Sequence, residues 1–256
     1  MSTISQHFNT HSPLVAWLEA SINVSVVVDK MELRNTTTLQ PTGDATGYPW
    51  ARVGTALSLA LALHFNREIP SSCVHGANLG GGHKALEQAR EALSRGQLTD
   101  AAIALEPYET LYRSGSIPVA LERQRQGQVK ADLDRLLEVN VPLLAQVQGD
   151  KIAEEDRFCF ELPSDTVVAD PDLVFRGDDD SITIVETKTT IRPQLTRFLR
   201  DAVEQLLFLA IFSADPKAKT HFDLVLHLAR QGVVAPVPVA SSTIYALRAS
   251  LEQITA

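Results

Sequence analysis

Cysteine is nearly absent from this chain of 256 residues, which has only Cys73 and Cys159. Two thiols make no disulfide framework, which points to a reducing, cytoplasmic setting, and they cannot supply the four thiolates of an iron–sulfur cluster. No apolar run approaches the roughly 20 residues that a membrane span requires, so no membrane partner is expected. Met1 to Thr10 has neither a basic nor an apolar stretch, and no secretory signal is expected. There is no basic tail and no low-complexity tract. The net charge is −8 and the pI about 5.4. Such a chain is poorly suited to coating nucleic acid non-specifically, because phosphate binding runs on Lys and Arg. A nucleic-acid enzyme with a local basic groove stays compatible with it. Hydrophobic content of 45% and charged content of 21% are those of an ordinary globular protein. The length favours one core with elaborations, a single domain over 1–256.

The first 150 residues read as mainly helical. Ser12 and Pro13 suit the start of a short helix over 13–20, after a loose leader over 1–12. Residues 24–33 suggest a strand or edge segment. Residues 36–48 form a Thr/Gly/Pro-rich loop, and 49–65 a helix apolar on most sides, hence buried. A second loop, 66–82, ends in Gly80-Gly81-Gly82. His83 then opens a helix whose inward stripe is Ala85, Leu86, Ala89 and Leu93, closed by Gly96. Further helices are expected over 99–112, 117–126 and 129–147. From 151 the pattern changes to strands at 157–162, 167–176 and 181–189, a helix at 194–213, strands at 222–228 and 233–239, and a helix at 241–253. The order is an α-rich front, then β-β-β-α-β-β-α, which predicts an α/β (α+β) fold.

The most informative stretch runs from Asp170 to Lys188. Gly177 and three aspartates make a poor strand and a good turn, with β-branched residues on both sides. A three-residue loop at 178–180 sets an antiparallel register of 176 opposite 182, 174 opposite 184, and 172 opposite 186. Opposed Cβ atoms lie roughly 4.5–5.5 Å apart, so Asp172 and Glu186 could share one cation. Glu186 and Lys188 are two apart on a strand and share a face. Phosphodiester hydrolysis needs a hard cation, and Mg²⁺ takes one or two carboxylates plus waters and substrate oxygens. The Thr187 carbonyl is a further candidate ligand, and a nearby lysine can orient or deprotonate the attacking water. A Glu-x-Lys alone is also what any exposed strand face carries.

Asp172, then Glu186-Thr187-Lys188, then Gln205 on a downstream helix resembles the PD-(D/E)xK nuclease core, in its RecB-type exonuclease-like branch. The run Gly80-Gly81-Gly82-His83, with Glu87 four residues on, is similar to that branch's upstream helical His. The resemblance spans about 83–210. It implies a restriction-endonuclease-like core, a central mixed sheet flanked by helices, in 151–256, with 1–150 as a helical part. It implies His83, Asp172 and Glu186 as metal ligands, Lys188 as the catalytic lysine, and Gln205 as a residue supporting the site or the DNA. The implied cofactor is Mg²⁺ or Mn²⁺ and the implied substrate DNA, with a role in repair or in defence against foreign DNA. Processive unwinding would come from a helicase or other DNA-processing partner. The chain departs from the branch at Leu209, where a Tyr usually stands, and in its three glycines abutting the His.

Other patterns point less far. Cys73, His75 and His83 lack the spacing of a zinc finger. Asp178-Asp179-Asp180 reads as a solvated turn, and the glycines at 80–82 are not followed by the Lys-Ser/Thr of a phosphate loop. Arg192, Arg197 and Arg200 lie just beyond the candidate site and could line a phosphate track or simply be solvated. Two rival functions stay open: a catalytically inactive nucleic-acid-binding or interaction protein on the same fold, and a metal-dependent hydrolase of small nucleotides.

Overall fold

The computed structural model describes residues 2–3, 13–31, 33, 38–42, 48, 50–69, 82–105, 119–154, 158–162, 165–169, 171–189, 195–215, 217–218 and 220–255. Among these described residues, eight α-helices and eight strands follow in the order β1 (Ser2–Thr3), α1 (Pro13–Ser21), α2 (Val24–Asp29), α3 (Trp50–Asn66), α4 (His83–Ser94), α5 (Leu98–Leu105), α6 (Val119–Gln148), β2 (Ile152–Glu154), β3 (Phe158–Leu162), β4 (Asp165–Ala169), β5 (Leu173–Arg176), β6 (Ser181–Lys188), α7 (Leu195–Ser213), β7 (His221–Leu228), β8 (Val233–Val237) and α8 (Ser241–Thr255). The fold is α+β, with a five-stranded mixed sheet flanked by helices. Among the described residues no helix is long and apolar enough to cross a membrane. The chain divides into two compact units. One contains 1–35, 148–228 and 234–256, the other 36–147 and 229–233.

In the first unit the sheet order is β2-β5-β6-β7-β8, with β2/β5 and β5/β6 antiparallel and β6/β7 parallel. A parallel pair needs a crossover, and α7 supplies it. Central β6 is buried on both faces over its first five residues, as its run of β-branched residues requires. From Leu206 to Phe212 every residue of α7 is buried. That is possible because β6 and β7 lie against one side of the helix while α2 and α8 pack on others. Arg248 of α8 donates to the Ile211 and Phe212 carbonyls at 3.2 and 3.3 Å, satisfying acceptors that the end of α7 leaves open. Ser241 Oγ accepts the Phe222 N–H at 2.9 Å, which ties the start of α8 to β7.

Four expectations are corrected here. Residues 24–29 are a helix, not a strand. Asn23 caps it by accepting the Val26 N–H, and burial of Val24, Val27 and Val28 on one side outweighs the β-propensity of the valines. The expected strand 167–176 is two strands in different sheets. β4 belongs to a three-stranded sheet of order β1-β4-β3, and β5 to the five-stranded one. Pro171 stands between them, and proline cannot donate to a ladder. Ser2 and Thr3 are not loose but pair with Val167 and Val168. Finally, 119–148 is one helix rather than two. The edge strand β2 was not foreseen in the sequence.

The turn behaves as its composition predicts. Register runs Arg176–Ile182, Val174–Ile184 and Leu173–Val185, and Asp180 takes a positive φ of 59°, a conformation aspartate tolerates better than most residues.

In the second unit, α3, α4 and α5 bury Leu63, Leu86, Ala89, Ala92, Ala101 and Leu105 as a small core. Gly96, at φ 71°, ends α4 in the left-handed conformation. The fully buried Asp132 of α6 accepts the Thr42 N–H at 3.1 and 3.0 Å, the Tyr48 hydroxyl, and Arg135 at 3.1 Å. Burial, then the Asp132 hydrogen bond, pushes the Tyr48 phenol up. Asp132→Ala would orphan several donors at once, and a loss of about 3 kcal/mol is expected. Trp50 reports on this unit and Trp17 on the other. Urea unfolding of single-tryptophan variants should shift the Trp50 midpoint strongly and the Trp17 midpoint less.

Candidate active site

Strand alternation decides which groups meet. Along β6, Ile182, Ile184, Glu186 and Lys188 face one way, and Thr183, Val185 and Thr187 the other. Helix α7 covers the first of these faces, since Gln205 Oε1 accepts from Lys188 Nζ at 2.5 Å. Lys188 Nζ also donates to Glu186 Oε1. The ammonium is thus held between a strand carboxylate and a helix amide, with about a fifth of its side chain exposed.

Asp172 sits one residue before β5 begins. One rung of ladder further back, Pro171 and Asp172 no longer pair with β6, and the Asp172 side chain takes over: Oδ2 accepts the Thr187 N–H at 2.7 Å. In a strand the N–H and C=O of one residue point to the same side. The Thr187 carbonyl therefore also opens toward Asp172 and away from β7. This places two carboxylates and one main-chain oxygen at the same end of the hairpin. On the opposite face, Thr187 Oγ1 and His227 Nδ1 share a hydrogen bond of 3.1 Å in the interior.

Electrostatics at the site favour an added positive charge. Glu186 is raised from 4.5 to about 7, first by burial and then by the like charge of Asp172. Lys188 acts in the opposite direction but does not cancel these two effects. Among the described residues no three His, Cys, Asp or Glu side chains gather around one point. A Mg²⁺ ion does not require three, because one or two carboxylates with waters suffice. Two crowded acids and an adjacent carbonyl, all hard oxygen donors, fit such an ion.

His83 is the first residue of α4 in the second unit and is exposed, as is Glu87. Gly82 caps that helix, while Gly80, Gly81, Cys73, His75 and Arg192 lie outside the described residues. Leu209 is buried and presents no polar group to a substrate. Arg197 is exposed. Arg200 is engaged by Glu19 at 2.8 Å and Glu204 at 3.6 Å, so its charge is partly neutralised. Sequence reasoning missed His227. Its signal was a single histidine in an otherwise apolar strand, Leu224-Val225-Leu226-His227-Leu228, and nothing in the sequence showed which strand it adjoins.

The two perturbed groups predict opposite pH dependences. Raised Glu186 contributes stability that is full below pH 4.5 and is lost as pH rises through 7. His227, lowered by burial from 6.5 to about 4, contributes stability that is present above 6.5 and lost as pH falls through 4. In wild-type protein in EDTA the two slopes should largely offset between pH 4.5 and 6.5. Glu186→Gln should be more stable than wild type at pH 8, by something on the order of 3 kcal/mol, and should weaken more steeply toward pH 4.5. Urea midpoints at pH 5 and pH 8 measure this; an equal or lower midpoint for the variant at pH 8 contradicts it.

No protein-family profile matches the chain, and no curated protein matches it. Among solved structures, the crystal structure of SSO0001 is similar over 59% of this chain and 72% of its own, at 19% identity and a TM-score of 0.28. That likeness is too distant to carry an argument about fold or function.

Proposed function

We propose that this protein is a metal-dependent nuclease that hydrolyses phosphodiester bonds of DNA, exonuclease-like in character, on a restriction-endonuclease-like core. The observation that carries the proposal is Lys188, held by both Glu186 and Gln205 on the face beside Asp172. Asp172 just ahead of β5, Glu186 and Lys188 on β6, and Gln205 on α7 meet at one end of the hairpin, which supports the reading. An exposed Glu-Lys pair on a strand would need neither a buried glutamate nor a helix amide to hold its lysine.

Asp172, Glu186 and the Thr187 carbonyl would hold Mg²⁺ or Mn²⁺. The chemistry that such an ion supplies is polarisation of a phosphoryl oxygen and a lowered pKa for the attacking water. Lys188 orients that water and donates to the oxygens on which negative charge develops. Gln205 keeps the ammonium aimed, since its amide oxygen accepts one of the three N–H bonds that Lys188 can make. His83, in the other unit, enters the ligand set only through the resemblance, and His83→Ala tests that assignment by itself. Repair and defence against foreign DNA are both consistent with this activity, with a helicase-type partner supplying any unwinding.

The experiment incubates the protein with linear, circular and single-stranded DNA, and with RNA, in Mg²⁺, Mn²⁺ or EDTA. Cleavage of DNA should require the metal and fall by roughly 10²–10⁴-fold in Lys188→Ala. Gln205→Leu should lose less, about 10-fold. Cleavage that survives both EDTA and Lys188→Ala removes this site from consideration. Metal binding without cleavage supports the silent binding protein instead. Cutting of linear but not circular DNA establishes an end requirement.

A further inference from the structure

We infer that His227 is a positioning residue for the metal site, acting through Thr187 from the opposite face of the sheet. This rests on the nuclease proposal and adds to it a residue outside the motif. Thr187 lies between Glu186 and Lys188, so any twist of its backbone turns both of those side chains and its own carbonyl together. Three constraints fix it. Its N–H is held by Asp172 at 2.7 Å. Its flanking residues are paired along β7, in a register that sets Thr187 beside His227 and Lys188 beside Leu228. Its hydroxyl is held by His227 Nδ1 at 3.1 Å.

The third constraint is unlike an ordinary core contact. β5 has stopped pairing at Leu173, so β6 has a backbone partner on one side only where the acids stand. A strand held on a single edge can rotate about that edge unless its side chains are pinned on both faces. On one face Lys188 reaches Gln205, and on the other Thr187 reaches His227. His227 is wholly buried, and a buried imidazole carries a desolvation cost that an apolar side chain would avoid. An apolar residue would fill the same space but would leave the Thr187 hydroxyl without this bond. Hydrogen bonds behind a ligand set its direction, and their loss commonly costs 10–100-fold in metal affinity or turnover.

The test uses the full chain and has two readouts at one pH: calorimetric titration with Mn²⁺, and cleavage of linear duplex DNA. Thr187→Val keeps the side-chain shape and removes the hydroxyl; His227→Leu removes the ring nitrogen. Both should bind Mn²⁺ roughly 10-fold more weakly or worse, and lose a similar factor in kcat with KM for DNA unchanged. Thr187→Ser and His227→Asn, which keep a hydrogen-bonding atom in place, should recover to within about threefold of wild type. The double variant Thr187→Val/His227→Leu should be no worse than the weaker of the two single variants, because the Thr187–His227 bond is already broken in each. Wild-type Mn²⁺ binding and turnover in Thr187→Val overturns the inference, and so does His227→Asn as impaired as His227→Leu, since that outcome means packing alone. Should His227→Leu fail to fold, the Thr187 pair still decides. A wild-type protein that binds no Mn²⁺ overturns the nuclease proposal and this inference together, whereas normal variants beside an active wild type overturn the inference alone.

Discussion

The Asp172 carboxylate occupies a place in the sheet that a backbone carbonyl would normally fill. Pro171 ends the pairing of β5, and the Thr187 N–H, left without a strand partner, is taken by Asp172 Oδ2. The remaining arrangement follows from that substitution. It anchors an acid at the edge of the sheet and holds the end of β6 extended beyond its neighbour. It also leaves the Thr187 carbonyl on the same side, beside a carboxylate and away from β7.

Charge then explains why these groups are not just a surface cluster. Two acids and one lysine have a net negative charge, and burial raises the cost of the second carboxylate until Glu186 titrates near 7. An arrangement of this kind costs stability, a cost that an added cation would lower. The opposite face has different chemistry at its other end: Lys151 reaches Thr183 at 2.6 Å and Asp223 at 3.1 Å, a pairing that ties the segment before β2 to the centre of the sheet. Both ends of β6 are therefore fixed by polar side chains, while the middle is fixed by apolar packing against α7.

The second unit holds itself together by another device. Asp132 gathers donors from a loop backbone, a tyrosine and an arginine, and Arg230 lies 3.7 Å from the Trp50 ring centre while donating to the Leu39 carbonyl at 3.0 Å. Over residues 38–42, side-chain hydrogen bonds to the Leu39 carbonyl and the Thr42 N–H satisfy backbone groups that no secondary structure pairs.

By itself the sequence determined the hairpin, its register and the convergence of Glu186 with Lys188. Those depend on a period of two and on a turn of Gly and Asp, both local and strong. It also placed most helices, because a 3.6-residue apolar stripe survives in almost any context. Tertiary structure decided the rest. Whether the valines of 24–29 make a strand or a helix depended on which partner offered burial. The split of 167–176 into two sheets depended on Pro171 in a context that the β-branched residues around it concealed. That Gln205 reaches Lys188 required α7 to lie on one particular face of β6. That His227 lies behind Thr187 required a parallel pairing between strands more than 30 residues apart in the chain, and no local pattern encodes which residue will stand beside which across such a crossover.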